Sequence, residues 1–397
     1  MIKREQYLKK IRGFYDSDLI KIITGIRRSG KSVILETIMN EIRNTTDNII
    51  YLNFENISTY EMIKDGIALI DYVNKNRKTG KCYIFLDEVQ LLDRFYEGIK
   101  TLRLYDNSIF VTGSNSELLS KEILKYFSGR EVSFTIRPFV YKELVEYAND
   151  LNKKITINDY LVWGGFPKRL EFDDENNLIS YLTELENTII IKDLITRYKI
   201  KKELLFKKVA SFIFKSNSRI FSSKSVYDYI KNEKVKCSIN TIIKFINYLK
   251  EGYVIDSIEK YSSKAKRELL YYEKLYLTDV CFNSLRVADR RYDLEHNLEN
   301  IVYNELVYMG YKLQTFDNNG KEINFIAYKD NKKYYIQVAY SILNEKTYDR
   351  EMNAFANLDN SNRKIIITND DIDYSTSTVK HIKFKDFLMM SELEEIT

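Results

Sequence analysis

The eight residues from Gly25 to Ser32, GIRRSGKS, constrain the fold of this 397-residue chain more than any other feature. These eight residues satisfy the pattern G-x-x-x-x-G-K-[ST], with Lys31 as its lysine. A β-rich apolar run, LIKIIT, precedes the loop, and apolar residues at helical spacing follow it from Val33. A strand, a glycine loop and a helix in this order predict a phosphate-binding loop, or P-loop.

The residue types of this loop suit the parts of a nucleotide. Glycine lets backbone N–H groups approach the phosphates, Lys31 adds charge for the β- and γ-phosphates, and the Ser32 hydroxyl is suited to ligating Mg²⁺. ATP and Mg²⁺ are therefore the predicted cofactors. The predicted nucleotide contacts are Gly25, Arg28, Ser29, Gly30, Lys31, Ser32 and Val33.

A second buried strand ends in two acids. The segment YIFLDEVQ, residues 83–90, delivers Asp87 and Glu88 to the end of its apolar run. We expect Asp87 to hold Mg²⁺ through water, and Glu88 to orient and deprotonate the attacking water. Capping of the next helix is the alternative role for both acids. With a P-loop upstream, the pair favours hydrolysis over binding alone.

Polar residues after the next strand, and two arginines, extend the candidate site. The segment IFVTGSNSE places either Ser114 or Asn115 where it would touch the γ-phosphate or the attacking water, with a polar turn that closes the strand as the alternative. Arg130 and Arg197 are candidate arginine fingers, and a surface or ion-paired role is an equal alternative for each. The predicted catalytic residues are Glu88, Asn115 and Arg130.

Cysteine and histidine usage excludes other kinds of site. The three cysteines lie far apart in the sequence, so neither a CxxC pair nor a disulfide framework is present. Only two histidines occur, which removes most histidine triads and metal clusters. No apolar stretch reaches the length of a signal peptide core or a membrane span, so we expect a cytoplasmic protein without a membrane partner.

The chain is too long for one compact core, and its patterns predict four regions. Short strands alternating with helices over 1–138 predict a parallel sheet with helices on both faces. Residues 139–198 are predicted to be a helical lid or linker. Residues 199–285 contain helices followed by a strand pair, which makes this region a winged-helix candidate. Residues 286–397 contain a helix followed by strands and are predicted to form a separate α/β module. The predicted fold class is therefore α/β multidomain.

The winged-helix candidate lies in the most basic part of the chain. Residues 199–268 hold 17 Lys or Arg against 7 Asp or Glu, whereas the net charge of the whole chain is +5. Such a surplus attracts a polyanion, unless it is a solvated lysine-rich surface. We expect a helix beginning near Ser238 to enter the major groove of double-stranded DNA, with docking to another protein as the alternative. The predicted DNA contacts are Asn240, Lys244, Lys264, Lys266 and Arg267.

Five motifs occur in an order known from one prokaryotic family: GIRRSGKS, YIFLDEVQ, VTGSNSELLS, FSGRE with RPFVYKEL, and WGGFP at 163–167. On these motifs the chain resembles the AAA-like ATPases grouped as AAA domain 14 with DUF4143, over nearly its whole length. The resemblance implies a P-loop domain, a small helical region, a winged-helix part and a C-terminal module similar to the PD-(D/E)xK nuclease fold.

That implied module is testable on the sequence. A working nuclease of this fold needs a carboxylate on its second core strand, and an acid two residues before a lysine on its third. Aligning GKEINFIAY and YYIQVAYS with this pattern places Asn324, Gln337 and Ala339 at those positions, although Glu305 and Glu322 remain nearby. Because neutral amides bind metals poorly, we predict a nuclease-like fold without nuclease activity.

Three functions are compatible with these patterns. The first is an ATP-hydrolysing protein that acts on DNA, and the second is a nucleotide-gated switch with slow turnover. The third, an ATP-dependent nuclease, is disfavoured by the three lost metal-site positions. An arginine finger supplied by a neighbour would require assembly, so a homo-oligomer or another protein is a candidate partner.

Overall fold

The chain forms two compact units in a computed structural model. The first unit comprises Met1–Pro138 with Glu251–Tyr253, and the second comprises Phe139–Lys250 with Val254–Thr397. Among the residues described, no helix is both long enough and apolar enough to span a membrane. The structure describes residues 2–113, 126–127, 129–233, 235–261, 273–318 and 321–395.

The first unit is built on a five-stranded sheet in the order β2-β3-β4-β1-β5, and every neighbouring pair is parallel. This confirms the predicted parallel α/β core. The strands β1, β3 and β4 are buried along their whole length, as expected for a parallel sheet covered by helices. The strands are β1 Ile20–Thr24, β2 Ile49–Asn53, β3 Cys82–Asp87, β4 Asn107–Thr112 and β5 Glu131–Thr135.

Helices of this unit pack on the sheet. Alternate residues of the strands, such as Ile84 and Leu86, join a core with the buried residues of α4 and α5, including Leu69 and Ile99. Helix α2 packs against β1, β3 and β4. The helices are α1 Glu5–Arg12, α2 Lys31–Arg43, α3 Ile57–Met62, α4 Gly66–Asn76 and α5 Phe95–Leu102.

The second unit begins with helices. The α-helix Glu175–Thr188 continues directly into a π-helix, Ile189–Thr196. A turn follows it, in which Lys199 has a left-handed φ of 49°. Tyr198, on this turn, stacks on Tyr248 with ring centroids 3.8 Å apart. The α-helices are α6 Tyr141–Asp150, α7 Ile157–Trp163 and α8 Glu175–Thr188.

Three helices and three strands follow in the middle of this unit. The strand β8 pairs with both β7 and β6, and both pairs are antiparallel. Helix α11 buries Ile242, Phe245, Ile246 and Leu249 on one face, which is the 3.6-residue spacing that its sequence predicts. The elements are α9 Glu203–Lys215, β6 Ile220–Phe221, α10 Ser223–Asn232, α11 Ile239–Glu251, β7 Ile255–Tyr261 and β8 Glu273–Leu277.

The C-terminal elements extend the same sheet. The strands β9, β10 and β11 form an antiparallel meander, whereas β11, β12 and β13 pair in parallel. A short parallel pairing of Lys260 and Tyr261 in β7 with Thr315 and Phe316 in β9 joins both parts. The elements are α12 Cys281–Ser284, α13 Leu294–Tyr308, β9 Lys312–Asn318, β10 Lys321–Lys329, β11 Lys332–Ala339, α14 Glu345–Asn353, β12 Arg363–Thr368, β13 Val379–Lys383 and α15 Phe384–Phe387.

The resulting sheet has eight strands in the order β13-β12-β11-β10-β9-β7-β8-β6. Strands from the predicted regions 199–285 and 286–397 therefore share one sheet, where the sequence suggested a separate module. The division of the second unit at 198 and 285 stays a prediction, as do the winged-helix and nuclease-like assignments.

Candidate nucleotide site and basic surface

Two glycines give the P-loop its path. Gly25 has a φ of 138°, and a Cβ atom there would lie 2.0 Å from the carbonyl oxygen of Ile136. Gly30 has a left-handed φ of 94° and precedes the first residue of α2. Residues with a side chain rarely adopt these backbone conformations, so glycine is required at both positions. The loop thereby presents its backbone at the N-terminus of α2, which favours bound anions.

The Lys31 ammonium lies inside this loop. Its side chain is buried, and Nζ donates to the carbonyl oxygens of Gly25 and Ile26, both at 3.1 Å. The buried Ser29 hydroxyl forms no hydrogen bond within the described part of the chain. An incoming phosphate would offer acceptor oxygens to both groups, so the loop fits the anion that its motif predicts.

Asp87 is the acid at the centre of the site. It is 1% exposed at the end of β3, and its Oδ1 accepts a hydrogen bond from the Ser32 hydroxyl at 3.2 Å. Asn53 and Tyr51 donate to Oδ2, each at 3.4 Å. The pKa of Tyr51 is raised, mainly because the side chain is partly buried and secondly because Asp87 is negatively charged. Ser32 and Asp87, each of which the sequence predicts as a Mg²⁺ ligand, therefore lie within hydrogen-bonding distance of each other.

The Thr112 hydroxyl connects the two acids. It donates to Asp87 Oδ1 and accepts from the backbone N–H of Glu88 at 3.0 Å. The strand order explains this contact, because β4 lies between β1, which leads into the P-loop, and β3, which leads into the acids. The C-terminal ends of the three strands therefore meet at one edge of the sheet.

Glu88 is held in an unusual conformation. Its φ of 52° is left-handed, which turns the chain sharply after β3. Its carboxylate accepts a hydrogen bond from the Gln90 side-chain amide, with Nε2 and Oε2 2.5 Å apart. That bond uses Oε2, and the second carboxylate oxygen, Oε1, can accept a proton from a water molecule while the bond to Gln90 is kept.

The oxygen ligands at this edge fit Mg²⁺. Ser32 and Asp87 offer a hydroxyl and a carboxylate, which hard cations prefer. Within the described ranges, no cluster of three or more His, Cys, Asp or Glu side chains is arranged to hold a metal. Mg²⁺ usually keeps several waters and takes only one or two carboxylates besides substrate phosphates, so few protein ligands are needed.

The remaining predicted site residues differ in exposure and in their contacts. Arg28 is exposed with a φ of 65°, and Val33 is half-buried in the first turn of α2. The Arg130 side chain is exposed and forms no hydrogen bond with the P-loop, Asp87 or Glu88 in the described structure. Arg197 belongs to the second unit, where its guanidinium lies 5.0 Å from the centre of the Tyr198 ring. Ser114 and Asn115 fall outside the described residues.

Sequence reasoning missed one buried arginine beside the loop. Arg4 is 3% exposed, and its guanidinium donates to the carbonyl oxygens of Ser29 at 2.8 Å and of Pro138 at 3.4 Å. It also lies 4.7 Å from the centre of the Tyr7 ring. One arginine within the basic segment MIKREQYLKK carries no local signal, because only the folded chain brings it to the loop.

A cleft of about 700 Å³ in the second unit holds two of the residues that the sequence aligns with nuclease metal-site positions. Asn324 and Gln337 both line it. The backbone N–H of Asn324 donates to Gln337 Oε1 at 3.2 Å, and the Gln337 amide donates to Glu351 at 2.5 Å. The alignment therefore selected residues that share one cleft, and Gln337 is fixed there as a hydrogen-bonding amide.

A lysine lies between the acids of this cleft. The Lys274 ammonium is 2.7 Å from a Glu299 oxygen and 2.5 Å from a Glu322 oxygen. Burial alone would lower the pKa of Lys274, but the two carboxylates outweigh it and raise that pKa. Glu305 does not line the cleft: it is fully buried and accepts from the backbone N–H of Tyr141 at 3.0 Å.

The predicted DNA-contacting helix has an exposed side that carries one lysine among asparagine and isoleucine side chains. Asn240 and Lys244 lie on the exposed side of α11, opposite its buried Phe245. The predicted contacts Lys264, Lys266 and Arg267 lie outside the described residues.

Comparisons with known proteins bear on this arrangement. A family model described as "AAA domain" matches residues 17–145, and a "Domain of unknown function (DUF8612)" matches 154–286. An uncharacterized protein of Haemophilus influenzae is 30% identical over 378 residues, which cover 93% of each chain. The uncharacterized protein MJ1544 of Methanocaldococcus jannaschii is 30% identical over 374 residues, covering 89% of this chain and 82% of its own.

The chain belongs to the same family as these two proteins. Its first unit carries a AAA domain, which confirms the predicted AAA-like P-loop domain and its nucleotide-binding ATPase class. The unknown-function domain that is matched is DUF8612, and the predicted DUF4143 assignment stays a prediction.

Solved structures give weaker similarities. DnaA from Aquifex aeolicus bound to AMPPCP has a TM-score of 0.33 and 16% identity, covering 63% of this chain and 90% of that chain. A replication initiator DnaA bound to AMPPCP and single-stranded DNA has a TM-score of 0.32 and 16% identity, covering 62% and 86%. At these scores we draw nothing further from the likeness.

Proposed function

We propose that this protein binds ATP with Mg²⁺, hydrolyses it, and couples that cycle to binding of double-stranded DNA. One observation carries the hydrolysis: the Thr112 hydroxyl bonds to Asp87 and to the Glu88 backbone, beside the P-loop. A site that only bound nucleotide would need the loop but not a second acid held at this edge.

Each side chain has one task in this proposal. The loop N–H groups and Lys31 bind the phosphates, replacing the carbonyl contacts that Lys31 makes now. Ser32 and Asp87 would hold Mg²⁺, which offsets phosphate charge when bound. Glu88 accepts the proton of the attacking water on its carboxylate. Asn115 keeps its predicted role beside the γ-phosphate.

Arg130 fits a role between copies of the chain. Its exposed side chain is available to the nucleotide of a neighbouring copy, where an arginine finger would stabilise the transition state. A homo-oligomer is therefore part of the proposal. ATP turnover per chain should rise with protein concentration in the wild type and stay low in Arg130→Ala at every concentration.

The elements from α9 to β8 support the DNA-binding part. Their order of helix, strand, helix, helix, strand and strand is that of a winged helix, in which α11 would lie in the major groove. Asn240 and Lys244 would then face DNA. Lys264, Lys266 and Arg267 follow β7 in sequence and complete the proposed contacts.

We also propose that residues 286–397 form a nuclease-like module that does not cut. Helix α13, the β9–β11 meander, α14 and β12 follow in the order expected for that fold. Lys274 already supplies a positive charge to Glu299 and Glu322, which leaves these carboxylates little need of a metal. Mg²⁺- or Mn²⁺-dependent cleavage of plasmid DNA that persists in Lys31→Ala would refute this part.

Phosphate release tests the main proposal. Lys31→Ala should lose ATP binding, whereas Glu88→Gln should keep binding and lose roughly 10²- to 10⁴-fold in turnover, because only the proton acceptor is removed. Lys64→Ala, at an exposed position of the same unit, is the control. Unchanged turnover in Glu88→Gln would exclude the hydrolytic role of this acid.

A switch with slow turnover is the second candidate. The hydrogen bond from Gln90 to Glu88 favours it, because a donated hydrogen bond stabilises the ionised carboxylate and so makes it a weaker base. Gln90→Ala separates the two functions: an increase in wild-type turnover on this change would mean that the bond restrains hydrolysis.

A further inference from the structure

A pocket of about 330 Å³ lies where the turn after the π-helix meets the start of α11. Lys199, Lys201 and Lys202 line it from the turn, and Lys244 lines it from the helix. No acidic residue is among the described residues of its lining. Four lysines thus line one pocket.

These charges are not neutralised by the described fold. None of the four lysines forms an ion pair with an acid in the described ranges, and Lys202 donates only to the carbonyl oxygen of Lys236, at 3.4 Å. Elsewhere in the same unit exposed lysines do have acidic partners, such as Lys208 with Glu233 at 2.5 Å. A group of exposed lysines around one pocket, with no acid in its described lining, produces a positive potential that attracts an anion.

The walls of the pocket are well defined. Tyr198 and Tyr248 stack with an angle of 14° between their rings, which ties the lysine turn to α11. The Lys244 ammonium lies 5.7 Å from the centre of the Tyr248 ring. Since Tyr248 is already covered by Tyr198 and Lys244, the aromatic pair serves as a wall and not as a stacking platform for a base.

The anion is best identified as a phosphate of a DNA backbone. The pocket opens beside the first turn of α11, where Asn240 and Thr241 also line it and helix N–H groups favour phosphate. Asn240 and Lys244 also lie on the face of α11 that would enter the major groove. A helix in that groove brings the flanking phosphates to its end.

We propose that this pocket binds a backbone phosphate of duplex DNA and that Lys199, Lys201 and Lys202 are DNA contacts. The proposal rests on the proposed DNA-binding function and extends the contact surface to the turn that precedes α9. It assigns these lysines to positioning the duplex, and it gives them no role in reading base sequence.

Fluorescence anisotropy with a labelled 20-base-pair duplex tests this pocket over a series of salt concentrations. The test variant carries Lys199→Gln, Lys201→Gln and Lys202→Gln in the full chain. The control variant carries Lys64→Gln, Lys75→Gln and Lys100→Gln, which remove the same charge from exposed positions of the first unit. All six side chains are exposed, and equal melting temperatures of the variants establish that both fold.

We expect the test variant to bind roughly tenfold more weakly, and the slope of log affinity against log salt to fall by about one. The control should match the wild type. If the wild type binds DNA and the test variant binds with the same affinity and slope, the pocket proposal is wrong and the winged-helix proposal stands. If the wild type binds no duplex, both fall. A polyglutamate peptide that binds as tightly as DNA, and is lost in the test variant, would instead make the pocket a protein-docking site.

Discussion

Thr112 is a small side chain on which two acids depend. Replacing its hydroxyl by a methyl group in Thr112→Val removes the bonds to Asp87 and to the Glu88 backbone and keeps the volume. We expect turnover to fall about 10- to 100-fold, in line with about 1.5–3 kcal/mol for a hydrogen bond to a charged group. Steady-state phosphate release measures this loss.

The matched control is Thr101→Val. Thr101 lies in α5 and donates to the carbonyl oxygen of Glu97 at 3.0 Å, so the change removes a hydroxyl away from the acids. Equal turnover in the two variants would mean that Thr112 has no special role.

Glu305 gives the second unit a dependence on pH. Burial raises its pKa from 4.5 to about 8. Between these values the unfolded chain releases its proton as the pH rises while the folded chain keeps it, so the free energy of unfolding falls, by roughly 1.4 kcal/mol per pH unit. Glu305→Gln should remove most of this loss, because its amide does not ionise.

Urea unfolding of the full chain at pH 5, 6, 7 and 8 measures this difference. Glu184→Gln is the control, because Glu184 is exposed on α8. A Glu305→Gln protein whose stability falls with pH as steeply as the wild type would contradict the assignment.

The sequence predicted the site residues that belong to continuous motifs and missed those that only the folded chain brings to the site. Lys31, Ser32, Asp87 and Glu88 were predicted because a loop motif and a strand ending in acids are continuous in sequence. Thr112 and Arg4 were missed, since each is brought to the site by contacts with residues more than twenty positions away. The left-handed φ of Glu88 likewise has no signal in its residue type.

Helices α4 and α5 approach each other at two glycines. A Cβ atom on Gly98 would lie 2.7 Å from the carbonyl oxygen of Gly66 and 2.9 Å from its Cα. Because both neighbours are backbone atoms, Gly98→Ala must separate the helices, and we expect a loss of about 1–3 kcal/mol of stability. Thermal unfolding measures it.

Gly13→Ala is the matched control for this change. Gly13 follows α1 with a φ of −61°, and nothing lies within 4 Å of its Cβ position. It should be neutral or slightly stabilising, because alanine restricts the unfolded chain. A loss of stability as large as that of Gly98→Ala would show that the effect is not one of helix approach.

At the scale of elements, strands β1 to β4 of the first unit were predictable because each is an apolar run, whereas β5, EVSFT, has no such run and was missed. The parallel pairing of β7 with β9 was not, since it joins Lys260 to Thr315 across α13 and depends on long-range register. Sequence patterns therefore located strands β9 to β12 of the second unit, but they missed β6 and β13 and did not show that its middle and C-terminal parts share a sheet.

At the scale of the whole molecule, we propose that the nucleotide cycle is coupled to DNA binding. Coupling is a free energy between two sites, so each ligand must change the affinity for the other by the same factor. In Glu88→Gln, which should hold ATP without turning it over, ATP is expected to change the affinity for duplex DNA by about 5- to 150-fold. DNA must then change the affinity for ATP by the same factor. Anisotropy gives the first factor, and titration with a fluorescent ATP analogue gives the second. Lys31→Ala should show DNA binding that ATP does not affect. If ATP leaves the DNA affinity of Glu88→Gln unchanged, the two units act independently, and hydrolysis and DNA binding would be separate activities of one chain.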